Sequence, residues 1–136
     1  MSYSVRDKIS AALGLFFLTL SGSFYLFFRN HLFGAPIWPS MVKELTRNEW
    51  GRFALYTLPD LFWVAAFLFF TELGTYTSAL SKRLFQWSIP LFGVVQEIGQ
   101  YADFLDGTFD IADILGYLVV PIIYQTLKIW THEKWI

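Results

Sequence analysis

The chain has 136 residues, of which 55% are hydrophobic, 21% aromatic and only 15% charged, against about 25% charged in an average soluble domain. A chain this short makes one domain and buries too small a share of its surface to hide so much apolar side chain from water, so the composition points to a membrane protein. The net charge of −1 comes without a lysine or arginine run, which argues against a nucleic-acid partner, and zero cysteines exclude a disulfide scaffold and thiolate metal sites.

Residues 9–28 form a twenty-residue stretch without a charge, the length an α-helix needs to cross about 30 Å of hydrocarbon. Arg6 and Lys8 precede it and Ser21-Gly22-Ser23 mimics a cleavage site, but the apolar run continues to Phe28, which favours a retained anchor over a signal peptide. In the connector that follows, Arg47, Trp50 and Arg52 suit a short interfacial helix over about 46–56, lying along the head groups. Thr57-Leu58-Pro59-Asp60 reads as a helix start, with proline in the first turn and an acid near the positive end of the dipole, which gives a second span over about 59–80. The alternative is one long helix from Thr46, capped by Thr46-Arg47-Asn48-Glu49 and kinked at Pro59. A third span covers about 84–104 and a fourth about 109–130, joined by a turn at Asp106-Gly107-Thr108, with Pro121 as a kink the membrane tolerates.

The expected fold class is therefore all-α: an integral membrane protein of one transmembrane domain, with four transmembrane helices and a short interfacial helix in the first connector. Four spans put both termini on one side. With that side cytoplasmic, the inner loops hold Arg6, Lys8, Lys82, Arg83, Lys128 and Lys134, and the outer ones hold Arg29, Lys43, Arg47 and Arg52. This bias favours cytoplasmic N- and C-termini and places the Asp106 turn and the connector of residues 29–53 outside.

Between Arg83 and Lys128 there is no basic residue, yet Glu97, Asp103, Asp106, Asp110 and Asp113 all fall there. Glu97 and Gln100 share a face of the third helix, as Asp110 and Asp113 do on the fourth, and the turn lets the two faces oppose each other near the outer boundary. Asp60 enters the same layer from the second helix. At about 1.5 Å of rise per residue, Glu97 lies roughly 10 Å below the turn, Asp113 about 7 Å and Asp110 about 3 Å. Thr108 as a cap, with Asp110 in the first helical turn, explains Asp110 as a helix-end charge, and Asp103 and Asp106 read as solvated turn residues. Capping explains neither Glu97 nor Asp113, and acids at such depth are functional-site candidates. Three partners fit them: a hard cation held by carboxylate and amide oxygens; Arg29, Arg47 and Arg52 folding over the cluster as a lid; or a lipid or amine head group. Glu72, in the inner half of the second helix, reads as a contact for Lys82 or Arg83. No catalytic set and no phosphate loop is found, and no cofactor is implied.

Glu97-Ile98-Gly99-Gln100 followed by Gly107-Thr108-Phe109-Asp110-Ile111-Ala112-Asp113 resembles the signature of the VanZ-like membrane proteins, in which E-x-x-Q on one helix precedes a turn and a D-x-x-D opening the next. The likeness covers about 20 residues. It departs from the family pattern at Gly107, where an arginine is usual, at Tyr117, where an asparagine is usual, and at Val120, where a glycine is usual. The resemblance implies a small multi-span protein of the bacterial inner membrane, with Glu97, Gln100, Asp110 and Asp113 at pattern positions. The resulting expectation is an outward-facing, carboxylate-lined pocket for an envelope lipid, an antibiotic or a cation. The alternative is an accessory subunit of a larger membrane complex, or a homo-oligomer, whose acids only hold its helices together.

Overall fold

The computed structural model describes residues 4–28, 38–106 and 109–132. The described residues are helices and turns: α1 (Val5–Phe28), α2 (Pro39–Leu45), α3 (Glu49–Arg52), a π-helical segment (Phe53–Thr57), α4 (Leu58–Thr71), α5 (Ala79–Tyr101) and α6 (Ile111–His132). Few large apolar side chains are buried, chiefly Leu55, Val64, Leu68 and Tyr117. Leu80, Leu84, Val95, Leu115, Ile122 and Leu127 are among the many that point outward. That is the reverse of a water-soluble core and suits a hydrocarbon surround.

Three helical stretches are long and apolar enough to cross a membrane: Val5–Phe28, Glu49–Thr71 and Ile111–Ile129. The expected third span is not among them. Its helix, α5, is 23 residues long, but Gln86, Ser88, Gln96, Glu97 and Gln100 make it too polar.

The second span also differs from expectation at both ends. No separate interfacial helix covers 46–56; helical structure runs without a break from Glu49 through Pro59 to Thr71. Asn48 caps it, its side chain accepting the Gly51 N–H at 2.7 Å, whereas Thr46 donates back to the Val42 carbonyl. Continuity through Pro59 depends on the π-helical segment, in which the Leu58 N–H reaches back to the Phe53 carbonyl; the wider turn carries the chain to a proline at the start of α4, where a missing N–H is least disruptive. The helix stops at Thr71 rather than near residue 80, and Ser78 opens α5 with a capping box to Ser81. The α5 end is equally defined. Asp103 takes the left-handed conformation, φ 57°, its N–H bonding to the Gln100 carbonyl while that of Phe104 reaches Gly99, the hydrogen-bond pattern of a Schellman stop.

The long helices run up, down, up and down. Near one end, Glu72 just after α4 meets Arg6 of α1, Lys82 and Gln86 of α5, and Tyr124 and Lys128 of α6. At the other end Tyr25 of α1 meets Asp60 of α4, and Glu97 of α5 meets Asp110 at the head of α6. Between these layers α4 packs on α1 and α6 through aromatic rings, with Phe69 stacked on Phe17 of α1 at 5.8 Å and edge-on to Tyr124 of α6 at 5.2 Å.

The contact of Glu72 with Lys82 matches expectation, but the remainder of this hub was not foreseen. One Glu72 oxygen accepts from Lys128 (2.7 Å), Tyr124 (2.8 Å) and Gln86 (3.0 Å); the other accepts from Lys82 (2.8 Å) and Arg6 (3.2 Å). Burial opposes ionisation of Glu72 and is the largest single influence, but the hydrogen bonds from Lys128, Lys82 and Tyr124 together outweigh it and hold the carboxyl down at about 2. Because the folded group ionises below the ordinary 4.5, its contribution to stability is complete above that value and is lost as the pH falls toward 2. The detergent-solubilised protein should therefore lose thermal stability progressively between about pH 4.5 and 2. Glu72→Ala, which strands cations against one another, should lower stability at neutral pH by about 3 kcal/mol and flatten that acid limb.

Candidate functional site

The other polar layer is built from four helices, α1, α4, α5 and α6. Asp60 lies in the first turn of α4 and receives hydrogen bonds from the Tyr25 hydroxyl on one oxygen and from Tyr117, at 3.4 Å, on the other. Glu97, the most buried acid here at 5% exposure, accepts the Asp110 backbone N–H at 3.0 Å. Asp110 accepts the Ala112 N–H at 2.8 Å, so it caps α6 itself instead of occupying the first turn as expected. Thr108 and Gly107 lie outside the described residues. Asp113, the third residue of α6, lies in its first turn rather than a turn deeper, and is 7% exposed.

These side chains surround a cavity of about 950 Å³. All five residues expected to form the polar pocket, Asp60, Glu97, Gln100, Asp110 and Asp113, line it. Glu49, Trp50, Arg52, Phe53, Tyr56 and Thr57 form the wall from the second span; Tyr25, Gln96, Asp106, Ala112 and Tyr117 complete it. Tyr117 reaches this position because Gly93 on α5 lets its ring pass close by: a Cβ at Gly93 would lie 2.7–2.9 Å from the ring. Of the residues that sequence reasoning did not place here, Thr57 and Tyr117 were within reach of it. Thr57 precedes Asp60 by three and Tyr117 follows Asp113 by four, spacings that share a helix face. Tyr56, four before Asp60, has the same kind of spacing, whereas Trp50 and Phe53 fell in the expected interfacial helix.

The expected arginine lid takes a different form. Arg47 pairs with Glu44 at 2.6 Å and Arg52 with Glu49, each one turn away, because these local pairs need no ordering of the connector. Arg52 stays at the cavity wall with its partner Glu49, while Arg29 lies outside the described residues. Among the described residues no group of three or more acids or histidines is disposed to hold a metal ion.

Three buried oxygens on the cavity lining, Asp113 Oδ1, Gln100 Oε1 and Thr57 Oγ1, make no hydrogen bond of ordinary geometry among the described residues, although Thr57 stands beside Asp113. Buried polar atoms are ordinarily satisfied, so this wall is built to accept hydrogen bonds. Its electrostatics point the same way, with six carboxylates and one guanidinium among the described lining residues. The arrangement suits recognition of a donor-bearing, positively charged group flanked by aromatic surface.

The bond from Asp110 N–H to Glu97 is the direct tie between the α5 and α6 ends of this layer. Glu97→Leu should leave that N–H without an acceptor and lower stability by roughly 1–3 kcal/mol, with faster amide exchange over residues 110–114. Glu97→Gln retains an acceptor and should do so by less. Equal loss in both would show that the hydrogen bond is not what matters at this position.

Comparison of the chain with protein-family models, with curated proteins and with solved structures gave no match.

Proposed function

We propose that the chain is a VanZ-like integral membrane protein of the bacterial inner membrane that binds a small polar ligand, or the head group of an envelope lipid, in the carboxylate-lined cavity. The observation that carries this reading is that the π-helical segment, α5 and α6 bring buried oxygens, without a hydrogen bond of ordinary geometry among the described residues, to one cavity of about 950 Å³. That volume suits a ligand or head group rather than a bare ion.

In this reading α5 crosses the membrane beside the three apolar helices, making four spans. Its support is the placement of Lys82 beside Glu72 and of Glu97 beside Asp110, which gives α5 the same two ends as its neighbours. The N- and C-termini are cytoplasmic and the cavity opens outward, in line with the excess of lysine and arginine at the Glu72 end. Membrane lipids are the immediate partners. Against the accessory-subunit alternative stands a difference between the two ends: the Glu72 carboxylate is fully engaged by cations of three helices, whereas at the cavity Glu97 and Asp60 bond to neighbouring elements but Asp113 keeps an oxygen on the open space.

Native mass spectrometry of the full chain, released from bacterial membranes in a mild detergent, should show a bound small molecule or lipid. Ala112→Trp, which fills the cavity from a half-buried position on α6, should remove that adduct while leaving the thermal midpoint close to wild type. A wild-type protein that carries no adduct, or an adduct that survives in the filled variant, overturns the reading.

A further inference from the structure

Resting on that cavity reading, we propose that the ligand presents a protonated primary amine, with its ammonium on the wall formed by Asp113, Gln100 and Thr57 and its adjoining carbons against the aromatic wall. Four features of the site select this chemistry. The first is charge. Asp113 is 7% exposed and lies within electrostatic reach of Asp60, Glu97 and Asp110. An anionic ligand would meet repulsion from every side, and a neutral one would leave the carboxylates uncompensated.

The second is the donor count. Asp113 Oδ1 and Gln100 Oε1 have no donor among the described residues, and the Thr57 hydroxyl, whose own hydrogen can turn to the adjacent Asp113 carboxylate, keeps lone pairs for a third. An ammonium carries three N–H donors and no acceptor, whereas a quaternary amine carries none. Third, the described residues offer no metal-ion cage, and the cavity is far larger than an ion needs. Fourth, Tyr25, Trp50, Phe53, Tyr56 and Tyr117 line the same space, giving ring faces that attract a cation and cover the carbons beside it. This amine chemistry is available from two sources: a soluble amine or the ethanolamine head group of a membrane lipid.

The test uses the purified full chain in nonionic detergent and in lipid nanodiscs. Four probes are titrated: 2-phenylethylamine and its uncharged analogue 2-phenylethanol in detergent, and phosphatidylethanolamine and phosphatidylglycerol in nanodiscs. Binding of 2-phenylethylamine, with phenylethanol at least about tenfold weaker, supports the proposal with a soluble ligand. Preferential retention of phosphatidylethanolamine over phosphatidylglycerol supports it with a lipid. In either case Asp113→Asn, which keeps the shape and removes the charge, should weaken binding by about tenfold or more, the size of one charge-assisted hydrogen bond. Should that variant fail to fold, Gln100→Leu removes a second acceptor at a half-buried position and should weaken binding by at least about threefold. Equal binding of amine and alcohol, together with equal retention of the two lipids, overturns the amine assignment while leaving a ligand-binding cavity in place. Failure of all four probes to bind folded protein overturns the amine assignment too, and the co-purified adduct then decides the cavity reading separately.

Discussion

Inside a hydrocarbon layer no water is available to solvate a charge, so every ionised side chain at depth has to be met by the chain itself. Glu72, one residue beyond the second span, meets the same demand at the edge of that layer for the whole bundle. It ends α4 and is reached by α1 through Arg6, by α5 through Lys82 and Gln86, and by α6 through Lys128 and Tyr124. A carboxylate offers four lone-pair sites on two oxygens, and here five donors converge on them. Removing any one donor leaves the others in place, but removing the carboxylate leaves three cations with nothing between them.

The two polar layers are opposites in charge. Cations outnumber the acid at the Glu72 end, and acids outnumber the guanidinium around the cavity. A layer in which opposite charges meet closes on itself; one in which like charges face each other holds its helices apart. The open space beside Asp60, Glu97 and Asp113 is what that imbalance predicts. It also explains α5. Its polar side chains cluster toward the two ends, Gln86 serving Glu72 and Gln96, Glu97 and Gln100 facing the cavity, with the apolar stretch 89–95 between them. A helix polar at both ends and apolar in the middle fits beside three apolar neighbours without matching them in overall hydropathy.

How much of this was legible in the sequence depended on whether the signal was local. The all-α, membrane-like character follows from composition, and the five pocket residues from helical spacing plus one tight connection. Boundaries were harder. The polar run from Glu72 to Ser78 ends α4 early, but Thr71-Glu72-Leu73 reads as helix because glutamate and leucine are both good helix formers. The Glu72 hub draws on residues up to 66 positions from Glu72, and no periodicity encodes which cations reach one carboxylate. Arginines in the connector looked like lid residues because the acids needed partners. Arg47 and Arg52 instead had nearer ones in Glu44 and Glu49, and a pair three residues apart forms without the loop entropy that a lid would require.

Pro59 carries the least expected consequence. A proline in a continuous helix removes an N–H and forces a break, a kink or a change of helical pitch. The chain takes the last course, through the π-helical turn at Phe53–Thr57, and three of those five residues, Phe53, Tyr56 and Thr57, line the cavity. Irregular backbone at membrane depth is stable where it borders protein or a cavity rather than lipid, and π-turns are frequent at functional sites because the wider turn re-aims side chains that a regular helix would direct elsewhere. The same turn carries the buried Thr57 hydroxyl, which makes no hydrogen bond of ordinary geometry among the described residues, one helical turn before Asp60. The backbone irregularity, the Thr57 hydroxyl and the α4 acid of the cavity thus come from one short segment, Phe53 to Asp60, set by its proline.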